Sequence, residues 1–362
     1  MCTRRKSLQL SVFAVVIMFA LGVGFLGTNG PTEAAAKQKP IKWIATSVYG
    51  SGLQFYKAAA YFAKKVKVMS NGRLIIQMNT GGSIVPPFSE QEAVSKGSLD
   101  MSFSTSMYIK GKFPAAVLFG ASFGAFDQLE FLAWCETGGG YNLWQEMYDR
   151  KSYNVKVLPT YAVYGQESLG WFRKPIKTLA DFKGLKYRTV GEWGEVLTRL
   201  GASVMTLPSG ELYTALERGV LDATEMSVPS FDKGLGLYEI CKYLVFPGVH
   251  QTSGPFETLV NKDKWNKLPD DLKDVVKAAL KEAALKSMTE WTVQDAAAVE
   301  FFKSKGVKII TLSPDVVAEI KRLGKIVFDE HAKKDPFYAK VLNSQREFHK
   351  KWQAYKKLQS FQ

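Results

Sequence analysis

Residues Gly184–Glu225 read GLKYRTVGEWGEVLTRLGASVMTLPSGELYTALERGVLDATE, and this stretch decides the fold. A β-prone run, Leu185–Val190, carries Arg188 near its end. A helical pattern follows over Trp193–Leu200 and stops at Gly201, where a left-handed cap costs least. Next come the apolar run Ser203–Leu207, a Pro208-Ser209-Gly210 turn and a second helical pattern over Glu211–Arg218. Gly219 stops that helix, and Val220–Glu225 reads as a short strand ending in a carboxylate. The order β-α-β-α-β builds a mainly parallel sheet, and the ligands of such sheets sit beyond the carboxyl ends of the strands. Arg188 and Glu225 both lie near such ends.

An earlier stretch echoes this one. Glu90–Phe103 reads EQEAVSKGSLDMSF and Glu211–Glu225 reads ELYTALERGVLDATE. Both give a helix, a basic residue, glycine (Gly97, Gly219), Leu-Asp (Asp100, Asp222) and a short strand. One copy would be a common helix-to-strand turn; two in matching contexts predict two similar α/β lobes. Clefts between lobes are favoured ligand sites.

Outward from this pair, Lys42–Thr46 and Arg73–Met78 read as strands flanking a helix over Leu53–Ser70. Phe55, Ala58, Ala59, Phe62 and Val66 share one side of that helix. Met101–Ser106 is a strand with Tyr108 just past its end. The strand-like segments Val155–Tyr161 and Leu169–Phe172, together with Gln251–Val260, are the expected crossovers between lobes. After Trp265 the chain turns helical over Asp270–Lys303, Ser313–Lys333 and Pro336–Lys356. The alanine-rich Ala278–Ala298 is suited to one long helix lying across both lobes. The division expected is residues 37–160 mainly in lobe I, 161–250 mainly in lobe II, 251–310 as crossover strand and long helix, and 311–362 as carboxyl-terminal helices.

The amino terminus carries a different signal. Arg4, Arg5 and Lys6 precede an uncharged apolar run, Leu8–Leu26, and Ala34-Ala35-Ala36 follows. This is the order of a secretory signal peptide spanning residues 1–36, with cleavage before Lys37 and export to the periplasm. An uncleaved anchor is the competing reading, since the run is long enough to span a bilayer. Beyond it stand two cysteines, Cys135 and Cys241, and both a disulfide and two buried free thiols are open.

The 362-residue chain has a formal charge of +14, much of it in Lys-rich helices near the carboxyl terminus, and reads as a basic solvated surface. Nothing resembles a nucleic-acid module. There is no phosphate loop, nucleophile elbow or paired-histidine metal motif. His250, His331 and His349 are isolated in sequence. Gly138-Gly139-Gly140 lacks the Lys-Ser/Thr that a phosphate loop needs.

The set Gly170-Trp-Phe-Arg-Lys-Pro-Ile176, Leu179–Arg188, Glu211–Glu225, Leu259-Val-Asn261, Trp265 and Leu268-Pro269 resembles the solute-binding subunits of tripartite ATP-independent periplasmic (TRAP) transporters. The finer match is to the branch that binds 2-oxo acids. The resemblance implies an α/β periplasmic-binding-protein fold of two lobes, with a long helix spanning both and a helical carboxyl-terminal region. It implies binding without catalysis, a small monocarboxylate ligand, permease subunits as partners and uptake driven by a sodium gradient. It also implies that Arg188 pairs with the ligand carboxylate, because a guanidinium grips a carboxylate through two parallel hydrogen bonds. Gln166, Tyr108, Glu225 and Met226 complete the expected substrate site. A cation bridging protein and ligand, sodium before calcium, maps to Gln166, Glu225, Met226 and Gln251. Some members of the branch pair through a carboxyl-terminal helix, and the long helices here allow a homodimer.

Two departures from the branch stand out. Its Glu-Trp is Glu225-Met226 here, which trades an aromatic wall for an adaptable side chain. Its His-Glu is His250-Gln251, which removes one negative charge from the cation site and favours a monovalent ion. The alternative functions are an exported enzyme acting on a carboxylate and a sensor that docks to a receptor.

Overall fold

A computed structural model describes residues 39–359; the expected signal peptide lies outside the described residues. The chain lays down β1 (Ile41–Ser47), β2 (Leu74–Thr80), β3 (Met101–Ser104), β4 (Val155–Leu158), β5 (Val163–Tyr164), β6 (Gly170–Phe172) and β7 (Lys186–Arg188). It continues through β8 (Ser203–Met205), β9 (Ala223–Thr224), β10 (Tyr243–Phe246), β11 (Gly254–Pro255), β12 (Glu257–Asn261) and β13 (Lys308–Thr311). One sheet has the order β2-β1-β3-β12-β4 and forms lobe I; another has the order β13-β10-β6-β9-β7-β8 and forms lobe II. The ribbon β5-β11 pairs residues lying between the segments Val155–Tyr161 and Leu169–Phe172 with the stretch Gln251–Val260. Within lobe II the β-α-β-α-β unit gives β7 parallel to both β8 and β9, as the sequence predicts. The antiparallel neighbour β6 makes the sheet mixed.

The internal repeat has a geometric counterpart. Asp100 Oδ2 accepts from the Ile44 backbone N–H at 2.8 Å, and Asp222 Oδ2 accepts from that of Lys186 at 3.0 Å. The aspartate backbone N–H groups return the bond to the carbonyls of the same two residues. Each Leu-Asp therefore pins a neighbouring strand, β1 at its middle in one lobe and β7 at its start in the other. Gly97 and Gly219 hold φ of 78° and 69°, the left-handed cap that the repeat needs.

The long helix runs from Asp270 to Ser304. In its first half Glu282 accepts from Tyr61 of the lobe I helix Gln54–Met69 at 2.7 Å; near its end, Phe302 meets Trp171 of lobe II edge-on at 4.7 Å. The helix Pro314–Lys334 packs Ile320 and Val327 into the outer core of lobe II, whereas Pro336–Gln359 packs Tyr338 and Val341 into that of lobe I. Each carboxyl-terminal helix thus covers one lobe. Cys135 and Cys241 are both buried free thiols, and they sit in different cores.

A polar clasp ties the lobes together beside the cleft. Lys110, in the turn after β3, donates to Gly191 O and to Glu195 Oε1, both at 3.1 Å. His331, in the last turn of the helix Pro314–Lys334, places Nε2 2.9 Å from both Glu195 oxygens. The His331 contact and Lys110 hold Glu195 down at about 2, and the Glu195 carboxylate raises His331 above its ordinary 6.5. Burial pushes the neighbouring Glu192 up to about 7.

The close approach of backbones at β6 can be tested directly. Gly170 has φ of 143°, and an added Cβ would lie 2.6 Å from Tyr187 Oη and 2.7 Å from Thr224 O. Gly170→Ala should therefore lose about 2–4 kcal/mol in urea unfolding, from backbone strain and overpacking together. A second prediction concerns pH. Because His331 is raised, its contribution is complete below 6.5 and fades as pH rises through its folded value. Glu195 contributes above 4.5 and loses its share only as pH falls towards about 2. Glu192 adds a separate loss between 4.5 and about 7, so the readout is the difference between wild type and His331→Gln. That difference should be about 0.5–1 kcal/mol near pH 6, after solvent screening, and should shrink towards pH 9.

Candidate functional site

Arg188 ends β7 with no solvent exposure. Its Nε donates to Leu207 O at 2.9 Å and its Nη1 to Glu225 O at 3.0 Å, while Nη2 has no hydrogen-bond partner. Two backbone carbonyls therefore fix the guanidinium and leave one arm free. The Glu225 carboxylate, just past β9, stands 3.6 Å from Nη1 and accepts from the Val190 backbone N–H at 3.3 Å. Burial raises Glu225 and the Arg188 charge opposes that rise.

The segment between β5 and β6 supplies a second carboxylate. Glu167 is buried, and its Oε1 accepts from Gln251 Nε2 at 3.1 Å while Oε2 has no partner. Gln251 Nε2 also donates to the Tyr164 hydroxyl. Burial, and then the Glu225 charge, push Glu167 well above the usual carboxylate range. His250 Nε2 lies 3.4 Å from Glu167 Oε2 and 4.0 Å from Glu225 Oε2. Its ring stacks on Trp193 with centroids 5.3 Å apart, and burial lowers it to about 3, so the imidazole is neutral. A third buried carboxylate, Asp232, accepts from Trp171 Nε1 at 2.8 Å.

Of these groups Arg188, Glu225, Glu167 and Gln251 face an enclosed cavity that Tyr49, Phe55, Tyr108, Tyr164 and Phe256 wall with aromatic rings. The space open to the centre of a water-sized sphere is about 20 Å³, so the conformation is closed around a small volume. The Tyr108 hydroxyl lies beside Arg188 and Tyr49, and Met226 closes another part of the wall. The lining draws on the ends of β1 and β3 in lobe I, of β7 and β9 in lobe II, and on the crossover ribbon.

Of the residues expected from sequence, Arg188, Tyr108, Glu225, Met226 and Gln251 line this cavity and Gln166 does not. Gln166 is exposed to solvent, and its neighbour Glu167 occupies the position expected of it. In the irregular segment between β5 and β6 these two adjacent side chains turn to opposite sides, one to solvent and one to the cavity. The correction changes the charge count. Gln251 does remove a carboxylate, but Glu167 brings one, so the basis for preferring a monovalent ion is gone. His250 looked isolated in the sequence; the fold brings it to Glu167 and Glu225 as three donors within 4.8 Å of one another. Its adjacency to Gln251 is the signal that marked the right loop. The Glu192, Glu195 and His331 group is the other such cluster among the described residues, and there Lys110 already supplies a cation.

Known proteins share the sequence family and the fold of this chain. Residues 45–335 match the family described as bacterial extracellular solute-binding protein, family 7. A monocarboxylate 2-oxoacid-binding periplasmic protein of Nostoc sp. is 32% identical over 318 residues, covering 88% of this chain and 84% of the relative. A TRAP periplasmic solute-binding protein from Colwellia psychrerythraea, solved with calcium and pyruvate, superimposes with a TM-score of 0.83 at 32% identity, covering 88% of this chain and 97% of that one. One from Pseudoalteromonas atlantica, solved with sodium and pyruvate, gives 0.83 at 33% identity, covering 90% and 100%. The two-lobed fold with its long helix is that of these binding proteins, which are not enzymes. The chain belongs to the family 7 extracellular solute-binding proteins, the periplasmic receptors of TRAP transport.

Proposed function

We propose that the protein captures a small 2-oxo monocarboxylate in the periplasm and delivers it to a TRAP permease for sodium-coupled uptake. The observation that carries this reading is the free Nη2 of Arg188 at an enclosed cavity. A buried guanidinium arm without a partner is costly, and a ligand carboxylate is the group that relieves it with a charge-assisted hydrogen bond. The small cavity fits a compact acid, and its aromatic wall suits an apolar remainder.

Charge balance supports a bridging cation. Glu167 and Glu225 line the same buried cavity as one guanidinium, and a bound carboxylate would add a further acidic group there. Uncompensated buried charge costs several kcal/mol per ion. A cation between Glu167, Glu225 and the ligand oxygens meets that deficit. The unpartnered Glu167 Oε2 fits such an ion, and the relatives solved with pyruvate hold sodium or calcium. When bound, the ion would polarise nothing for reaction; it would hold ligand oxygens against protein oxygens.

The test is calorimetry and thermal shift on the protein from Lys37 onward, stripped of ligand, against 2-oxo acids, 2-hydroxy acids and dicarboxylates with added sodium or calcium. A 2-oxo acid at about 100 times its dissociation constant should stabilise the fold by roughly 2.7 kcal/mol. Arg188→Lys, which keeps the charge and loses the fork, should weaken binding by about 30-fold or more. Arg188→Ala is the poorer probe, because Leu207 O and Glu225 O would lose their donor and the unliganded fold would soften too. Unchanged affinity in Arg188→Lys would remove the carboxylate from this arm.

A further inference from the structure

We propose that a second cavity, outside the ligand cleft, binds an aromatic carboxylate, and that its occupancy couples to the cleft through the two lobes that wall it. The site stands on its own geometry; the coupling rests on the function proposed above.

The cavity lies where the long helix Asp270–Ser304 passes between the helix Gln54–Met69 of lobe I and the helix Pro229–Leu235 of lobe II. By the measure that gives about 20 Å³ for the ligand cavity it offers about 570 Å³. Small-molecule pockets run from about 300 to 1,000 Å³. Its floor is aromatic, made by the buried Phe231 and Trp291 with Tyr61 beside them. Three lysines and one glutamate also line it. Lys286 is paired with Glu290, and Lys233 Nζ lies 4.0 Å from the Phe301 ring centroid. Lys57 and Lys233 have no carboxylate partner among the described residues.

This lining suits a flat apolar body with a negative charge at its edge. An arene carboxylate supplies both: its ring stacks on the phenyl and indole faces, and its oxygens meet an unpaired ammonium group. A neutral arene gains only the stack. A small aliphatic acid gains only a charge attraction that solvent screens.

The two walls belong to different lobes, and they touch. Leu53 packs over Gly234, where an added Cβ would lie 3.3 Å from Leu53 Cδ2. Ser230 Oγ lies 3.1 Å from Gln54 Oε1, and Gln54 donates to Gln294 of the long helix. Phe55 stacks on Phe231 with centroids 4.1 Å apart and meets Trp291 at 5.2 Å, and it also walls the ligand cavity. One ring stack thus separates the two cavities, and each is complete only while the lobes stand together. A molecule that touches both walls binds the closed form better than an open one, so each ligand strengthens the binding of the other by the same factor.

The test is calorimetric titration of the same ligand-stripped protein with 2-naphthoate, beside its neutral analogue 2-naphthylmethanol. 2-Naphthoate should bind one site at least tenfold tighter than the alcohol. The double variant Lys57→Gln, Lys233→Gln should remove about that tenfold, as two exposed charge pairs do, and leave pyruvate binding unchanged when no naphthoate is present. In protein labelled at alanine methyls, nuclear Overhauser contacts from the naphthyl protons to Ala58 and Ala283 should place the ring, a readout that needs no variant. Saturating pyruvate should raise 2-naphthoate affinity at least threefold, with the reciprocal gain for pyruvate. No binding, equal binding of the alcohol, or displacement of 2-naphthoate by pyruvate would overturn the second site. Unchanged affinities in the paired titrations would overturn the coupling. If no 2-oxo acid binds, the proposed function fails, and the Ala58 and Ala283 contacts still decide the site.

Discussion

A guanidinium with no solvent exposure and one unpaired arm is the constraint on which the rest of the site depends. Arg188 stays in place because two backbone carbonyls, from Leu207 and Glu225, take its other donors. Those carbonyls come from the segments after β8 and beside β9, the two strands that flank β7. The parallel unit is thus more than scaffold: it brings two chain ends to the one strand end that carries the charge. Glu225 then serves twice, its carbonyl anchoring the arginine and its carboxylate balancing it from 3.6 Å.

Each lobe repeats a helix, a left-handed glycine and a Leu-Asp that pins the neighbouring strand. The duplication explains why the two sheets can face each other with strand ends towards a common cleft. What differs between the lobes is what those ends carry. Lobe I offers rings, Tyr49, Tyr108 and Phe256; lobe II offers the charges, Arg188 and Glu225. The segments flanking the crossover ribbon contribute the remaining polar groups of the cavity, Glu167 and Gln251. Lys110 spans the cleft to Gly191 and Glu195, so closure is held by a polar clasp beside the site as well as by the site itself.

Local patterns made most of the fold legible. Helix stops at Gly201 and Gly219, the doubled Leu-Asp, and the alanine-rich run that became Asp270–Ser304 all act through backbone conformation and periodicity, which a sequence displays. Sheet direction was less visible, because β6 and β10 join lobe II from outside the repeat and run against β9 and β6 respectively. Within the site, Arg188, Glu225, Tyr108, Met226 and Gln251 were readable from strand ends and motif. Glu167 was not: in an irregular segment nothing local says which of two adjacent polar residues turns inward. His250 was passed over because its partners are 83 and 25 positions away by numbering, and only folding joins them.

The raised carboxylates beside a neutral imidazole resemble the pattern of an acid–base centre, where perturbed groups gather. Their setting argues for binding instead. Burial is the first cause of each shift, at Glu167, Glu225, Asp232 and His250 alike. In an enzyme such groups would exchange protons with a substrate. Here burial and the Glu225 charge raise Glu167 and Asp232 together, a cost that the proposed ligand and cation would relieve. A site that is costly when empty and balanced when filled favours the closed state more strongly with its ligand present. That is the behaviour a transport receptor needs, since the permease must tell a loaded protein from an empty one by shape.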